Sequence, residues 1–238
     1  MQAVILAGGK GTRLRPYTTV LPKPLMPIGE HPILEVILRQ LARLGIRDVT
    51  LAVGYLGELI EAYFGDGSKW GVEIRYSREY APLGTAAPLR LVAEREELDD
   101  NFLVLNGDCL TDLDYRAFFQ SHLDLQAAVT IATHTRSVQV TLGVLKMDSS
   151  GRLLDYIEKP TYRYDVSMGV YAFHRRALDR IAPNAYMDFP DLIKELLARG
   201  ERVQGHPYDG YWLDIGRHED YEKAVEEFDA MRGRLLGE

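Results

Sequence analysis

Near-continuous apolar runs at residues 3–7, 49–53 and 102–105 restrict the fold of this chain more than any other feature. Strands without polar alternation belong where both faces are covered, the environment of a largely parallel sheet flanked by helices. The segments between them supply such helices. Ile33, Ile37, Leu41 and Leu44 recur at helical spacing, and Gly45 stands where a left-handed residue stops a helix. Residues 56–64 and 85–92 read as two more. The first half is therefore predicted as a β/α/β array, an α/β, Rossmann-like open and mostly parallel mixed sheet with helices on both faces.

The second half changes character. Residues 127–133, 141–146 and 152–158 alternate more strongly, and Asp148-Ser149-Ser150-Gly151 between the last two predicts a hairpin. Residues 166–173 read as a further strand and 189–199 as an amphipathic helix. Residues 219–231 predict a closing helix that ends in a polar, frayed tail. No self-similar period follows it, so no C-terminal β-helix of hexapeptide repeats is expected, and homo-oligomerisation through other surfaces stays open. With 238 residues, 46% of them hydrophobic, and no low-complexity linker, a single domain over residues 1–238 is expected.

Charge and cysteine content narrow the setting. The lone Cys109 excludes an internal disulfide, the start MQAVILAGG lacks the charged leader of a signal peptide, and no stretch nears the roughly 20 apolar residues of a membrane helix. A net charge of -7 argues against nucleic acid or an anionic membrane as partner, and a cytoplasmic location is expected. Against that acidic background, Lys10, Arg13, Arg15 and Lys23 all precede the first acid, Glu30. Such a segment attracts anions.

The residues among those charges sharpen the point. Leu6 to Leu14 reads LAGGKGTRL, directly after a buried strand. Gly8, Gly9 and Gly11 let the main chain approach a triphosphate closely, while backbone N–H groups, Lys10, Arg13 and Arg15 face its oxygens. A Walker A loop is excluded because no Gly-Lys-Ser/Thr follows, and a dinucleotide fingerprint because Leu14 stands where its third glycine belongs.

GGKGTRLRP followed by LPKPLMPIGEHPI resembles the signature of sugar-1-phosphate nucleotidyltransferases. PLGTA at 82–86, NGD at 106–108, EKP at 158–160 and WLDIG at 212–216 continue the resemblance in the family's order along almost the whole chain. It implies a nucleotide-binding part over about 1–110 and a sugar-phosphate-binding part over about 111–238. The substrates it implies are a nucleoside triphosphate and a sugar 1-phosphate, joined with release of pyrophosphate and assisted by Mg²⁺. Attack of one anion on another requires neutralised charge and in-line alignment.

The resemblance also distributes roles. Leu6, Ala7, Gly8, Gly9, Gly11, Thr12, Arg13, Glu79, Pro82, Gly84 and Thr85 match nucleotide-binding positions. Arg13, Lys23 and Asp108 match catalytic ones, the two cations neutralising the α-phosphate and departing pyrophosphate. Asp108, at the carboxyl end of an apolar strand, is well placed to hold Mg²⁺, and Asp214 is the second implied ligand. Asp214 could instead cap the closing helix, but it lies too far upstream. Glu158 is implied to accept sugar hydroxyls and Lys159 to grip the sugar phosphate. Gly143 and Gly169 interrupt strand patterns, either for backbone contact with the sugar or at bulges. Many family members carry asparagine near Ser167-Met168-Gly169, where this chain does not.

Glu79 bears on the base. Pyrimidine-using members generally place glutamine there, whose amide matches the donor and acceptor of uracil or thymine. An ionised carboxylate accepts only, which suits the adjacent N1–H and N2–H₂ of guanine. GTP is favoured, with mannose 1-phosphate as the leading acceptor because PKPLMPI and PLGTA resemble mannose-1-phosphate guanylyltransferases. Heptose 1-phosphate comes next. A uridylyl- or thymidylyltransferase and a non-catalytic nucleotide-sugar-binding relative are the alternatives, the last expected to have lost the charged groups retained here.

Overall fold

The computed structural model describes residues 1–95 and 98–237. β1 (Gln2–Ala7) leads to a short ladder of β2 (Pro27–Ile28) and β3 (His31–Pro32), then α1 (Ile33–Arg43), β4 (Asp48–Val53) and α2 (Gly57–Phe64). β5 (Glu73–Arg78), α3 (Ala87–Arg95), β6 (Asn101–Asn106), β7 (Cys109–Thr111) and α4 (Tyr115–Leu125) follow. Next come β8 (Val129–Gln139), β9 (Val144–Met147), β10 (Leu153–Ile157) and β11 (Thr161–His174). The rest is α5 (Phe189–Ala198), β12 (Val203–Pro207), β13 (Trp212–Asp214) and α6 (His218–Leu236).

Seven strands form one sheet in the order β12-β8-β11-β6-β1-β4-β5. β1 pairs in parallel with β4 and β6, β4 with β5, and β8 with β12, while β11 runs antiparallel between β6 and β8. Strand alternation decides which layer each side chain joins. Ile5, Leu51 and Leu105 meet Leu41 of α1, Phe64 of α2 and Phe118 of α4 on one face. Val4, Ala52 and Val104 meet Leu89 of α3 and Leu192 of α5 on the other. Both faces are covered, as the unbroken apolar runs require, and no β-helix occurs among the described residues. None of their helices is long and apolar enough to cross a membrane.

Three expectations need correction. Among the described residues no frayed tail follows residue 231: α6 continues to Leu236, with Leu235 and Leu236 buried in a third cluster alongside Ile28, Ile33, Leu213 and Phe228. A polar stretch that ends in two leucines kept its helix because those leucines have a surface to cover. The hairpin strands stand as expected, but β8 and β11 run well past residues 133 and 166, since their polar outer halves pair with each other from Thr133↔Ser167 to Gln139↔Thr161. The third helix begins at Ala87, because Thr85 is engaged elsewhere. Edge strand β5 and helix α4 lie outside the expected elements although each carries apolar residues, Ile74 and Tyr76 at alternate positions in β5 and Tyr115 and Phe118 on the buried face of α4, whose start is fixed by Asp114 Oδ1 accepting from the N–H groups of Arg116 and Ala117.

His122 of α4 is fully buried, bonded through Nδ1 to Thr130 Oγ1 (2.8 Å) and through Nε2 to Asn101 Oδ1 (3.1 Å). Burial, with lesser repulsion from His174 and Arg176, holds its pKa down to about 4. An unfolded histidine takes up its proton near 6.5, so the native state loses stability as pH falls from there toward 4, by up to about 1.4 kcal/mol per unit from this group. The urea midpoint is expected to drop between pH 7.5 and pH 5. A His122→Gln variant should show a flatter pH slope, and an equal slope would remove His122 as its cause.

Candidate active site

The carboxyl ends of β1, β4, β5 and β6 open onto a cleft of about 940 Å³. Its floor is the loop after β1, which bends through the 3₁₀ turn Thr12–Leu14 and is pinned by the buried Leu14 side chain. Thr18 Oγ1 donates to the Gly11 carbonyl (2.8 Å) and His218 Nε2 to the Arg15 carbonyl (2.8 Å), fixing the loop from both sides. Leu6, Ala7, Gly8, Gly9, Gly11, Thr12 and Arg13 all line the cleft, as does Lys10.

One end of the cleft is acidic. Glu79 leaves β5 with its N–H bonded to the Val53 carbonyl (3.0 Å), and its carboxylate lies across the ends of β1 and β4. A Cβ on Gly8 would stand 2.8 Å from Glu79 Oε1, so glycine there leaves room for the carboxylate. Burial raises the Glu79 pKa, partly opposed by the Leu83 N–H that it accepts at 3.3 Å. Pro82, Gly84 and Thr85 continue this wall. Thr85 donates through both N–H and Oγ1 to Asp188 Oδ1 (2.9 and 3.1 Å), and the Met187 carbonyl takes the Ala86 N–H (2.9 Å).

The other end gathers charge of both signs. Lys23 is 8% exposed, and its ammonium pairs with Asp108 Oδ2. Asp108 Oδ1 is buried with no hydrogen-bond partner. Antiparallel pairing of β13 with β7 sets Asp214 opposite Cys109, and the Ile215 N–H bonds the Asp108 carbonyl (3.1 Å). Burial first, and then repulsion from Asp108, raises the Asp214 pKa, while Lys23 and Arg13 oppose the shift. A Cβ on Gly216 would lie 3.3 Å from Asp214 Oδ2 and 3.4 Å from Arg13 Nη1, so Arg13 and Asp214 share a corner.

This donor set suits Mg²⁺. Two hard carboxylates, Asp108 and Asp214, line the same cleft and repel one another, one holding an oxygen without a partner, and no group of three or more acid, His or Cys ligands forms among the described residues. Magnesium takes one or two carboxylates and fills its remaining positions with water and substrate phosphate.

The family model for nucleotidyl transferases matches residues 2–230. The chain belongs to that family. Among similar proteins, the UTP–glucose-1-phosphate uridylyltransferase of Synechocystis is 36% identical over 94% of this chain and 62% of its own length. The mannose-1-phosphate guanylyltransferase of Mycobacterium tuberculosis is 34% identical over 98% of this chain and 65% of its own. This chain thus spans under two thirds of those two relatives. The D-glycero-α-D-manno-heptose 1-phosphate guanylyltransferase of Aneurinibacillus thermoaerophilus is 35% identical over 95% of this chain and 98% of its own. A solved structure of HddC from Yersinia pseudotuberculosis, complexed with GMP-PN, superposes with a TM-score of 0.74 at 26% identity, covering 95% of this chain and 99% of that one.

Within this member of the family, the residues expected for the sugar phosphate, Glu158, Lys159, Gly143 and Gly169, are not among those that line the cleft. Glu158 and Lys159 are each 60% exposed and 3.8 Å from one another. The space that Gly143 leaves is taken by the Tyr156 ring, whose hydroxyl donates to Glu158 Oε2 (2.9 Å). Gly169 sits at a register shift in β11 with φ 77°, and a Cβ there would stand 2.6 Å from Asn106 Nδ2. It makes room for a neighbouring residue that itself lines the cleft. Asp188 was missed by sequence reasoning because an acid before Phe-Pro reads as a helix cap. It is the residue before α5, but its side chain serves Thr85.

Proposed function

We propose that this nucleotidyl transferase moves a nucleotidyl group from a nucleoside triphosphate, GTP favoured, to a sugar 1-phosphate, giving a nucleotide sugar and pyrophosphate. The observation that carries the reading is one cleft with Glu79 at one end and Arg13, Lys23, Asp108 and Asp214 at the other. A carboxylate matches the two adjacent N–H donors of guanine and opposes the acceptor oxygens of uracil and thymine. Mannose 1-phosphate leads as acceptor on motif resemblance. Heptose 1-phosphate follows, supported by the relative matched over nearly its whole length.

In the reaction, a sugar-phosphate oxygen forms a bond to the α-phosphorus while the bond from that phosphorus to the bridging oxygen breaks, and pyrophosphate leaves. Asp108 and Asp214 would hold Mg²⁺, which supplies positive charge to the α-phosphate region. Lys10, Arg13 and the loop N–H groups hold the β- and γ-phosphates, and Lys23 neutralises the α-phosphate once released from Asp108. No covalent nucleophile is needed, so the chain contributes alignment and electrostatics. Lys159→Ala is expected to raise KM for the sugar phosphate about 10-fold or more with nucleotide affinity unchanged, because it removes a charge on that substrate's side alone. A fall in nucleotide affinity only would remove the role given to Lys159.

Uridylyl transfer is the second reading, favoured by the Synechocystis relative. Pyrophosphate release from four nucleoside triphosphates, each paired with mannose, heptose and glucose 1-phosphates in Mg²⁺, separates the two. GTP is expected to give the highest kcat/KM. A preference for UTP or dTTP overturns the guanylyl reading, and silence from every pair overturns catalysis.

A further inference from the structure

The wall of the cleft that carries Glu79 does not support itself. Residues 79–86 form neither strand nor helix between β5 and α3, so their backbone groups need partners from elsewhere in the chain. The segment just before α5 supplies them. The Leu83 carbonyl accepts from the Met187 N–H (2.9 Å), and the Met187 carbonyl accepts from the N–H groups of Ala86 (2.9 Å) and Ala87 (3.2 Å). Thr85 Oγ1, which donates to Asp188, accepts in turn from the Phe189 N–H (2.9 Å). Gly84 has φ 88°, and a Cβ there would stand 2.5 Å from the Met187 carbonyl oxygen, so the two segments touch. Buried Ile181 and Phe189 anchor the supporting segment at its ends, with a turn at Asn184 (φ 55°) between them.

Asp188 ties this support to a second side chain. Its Oδ1 accepts from the N–H and the hydroxyl of Thr85, while its Oδ2 accepts from the Tyr186 hydroxyl (2.7 Å). Tyr186 lines the cleft and is 63% exposed, although its hydroxyl is fixed. It belongs to none of the three core clusters, so core packing does not account for its position. A tyrosine held by its tip with its ring bare at the wall of a cleft has little freedom left to lose when a flat ligand covers it.

We propose that Tyr186 contacts the nucleobase of the triphosphate, its ring stacking on the base, and that Asp188 is the positioning residue that aligns this ring with the Gly84–Thr85 turn. The face of a base is the ligand such a ring fits, because stacking needs a flat π-surface and no particular edge. Glu79 then reads the edge of the base while Tyr186 covers its face. This rests on the nucleotide reading above, but the stack does not depend on which base is used.

GTP and inorganic tripolyphosphate, each titrated into the protein with Mg²⁺ and followed by calorimetry, separate the base from the phosphates. Tyr186→Ala is expected to bind GTP about 10-fold more weakly with tripolyphosphate unchanged, and Tyr186→Phe, which keeps the ring, to stay within about threefold of wild type. Asp188→Ala is expected to raise KM for GTP about 10-fold with kcat and the KM for the sugar phosphate little changed, because the phosphate loop and the acidic pair are untouched. Asp188→Asn is expected to restore it, since its amide oxygen still accepts from Thr85 and its NH₂ can donate to the Tyr186 oxygen. Wild-type GTP affinity in Tyr186→Ala overturns the stack, and so does an equal loss for tripolyphosphate, the mark of a general disturbance of the cleft. An Asp188→Asn variant as impaired as Asp188→Ala overturns the positioning role. Tyr186 is exposed, so its variants keep the fold whatever Asp188→Ala does. A wild type that binds UTP or dTTP more tightly than GTP removes the guanylyl reading, and the same Tyr186 variants then decide the stack with that nucleotide. A wild type that binds GTP through Tyr186 but releases no pyrophosphate from any substrate pair removes the transfer reading alone. One that binds no nucleoside triphosphate more tightly than tripolyphosphate removes both.

Discussion

Asp108→Asn and Asp214→Asn are each expected to lower kcat by about 10²–10³-fold or more, because each removes a negative charge from the site that would hold Mg²⁺. Their stabilities should diverge. Asp108→Asn leaves the buried Lys23 ammonium without its counter-charge, a cost of about 1–3 kcal/mol. Asp214 is different: its pKa is raised, so its ionised form weakens the native state at neutral pH. Replacing it by an uncharged isostere should be neutral or stabilising. Turnover at limiting Mg²⁺ and the urea midpoint are the measurements. Wild-type rates in both variants would refute the metal assignment, and equal midpoint losses would refute the account of Lys23.

Glu79→Gln is expected to shift the ratio of kcat/KM for GTP over UTP or dTTP by about 10- to 100-fold toward the pyrimidines, a change of about 1–3 kcal/mol. The introduced amide accepts from one guanine donor and turns its own NH₂ toward the other, while it can match the donor and acceptor of a pyrimidine edge. Shape is almost conserved, which matters because Glu79 lies against Gly8 and Gly54. Two effects act on the wild-type residue: burial favours the neutral acid, and guanine's donors favour the anion. A ratio unchanged by the substitution would separate Glu79 from the base.

What could be read from the sequence follows physical range. The β1 loop announces itself because strand, glycines and cations are contiguous, and Asp108 because it directly follows an apolar strand. Asp214 joins it only through the β13–β7 ladder. That pairing has no local periodic signal, so resemblance had to supply it. Asp188 was hidden by carrying the mark of a commoner role. The outer halves of β8 and β11 were missed for a simpler reason: residues 134–139 are mostly polar and carry no period, and the alternating Tyr162 and Tyr164 of β11 stand among polar residues on an exposed segment just before the apolar run that was read as the strand. α6 outran its expectation because two leucines are too few to set a period, yet enough to fill a groove.

The place of β11 has a consequence for how the chain reaches its fold. β6 is buried among apolar neighbours, and one of its two edges is completed by a strand that begins more than fifty residues later. Until β11 arrives, the emerging first half presents a row of unsatisfied N–H and C=O groups flanked by Phe102, Leu103, Val104 and Leu105, the kind of open margin on which other chains nucleate. Closing it requires contacts distant in sequence, so folding should be slow for a protein of this size and sensitive to crowding by copies of itself. A fragment ending near residue 110 would keep the triphosphate loop and still be a poor independent unit, because the middle of its sheet would have become an edge.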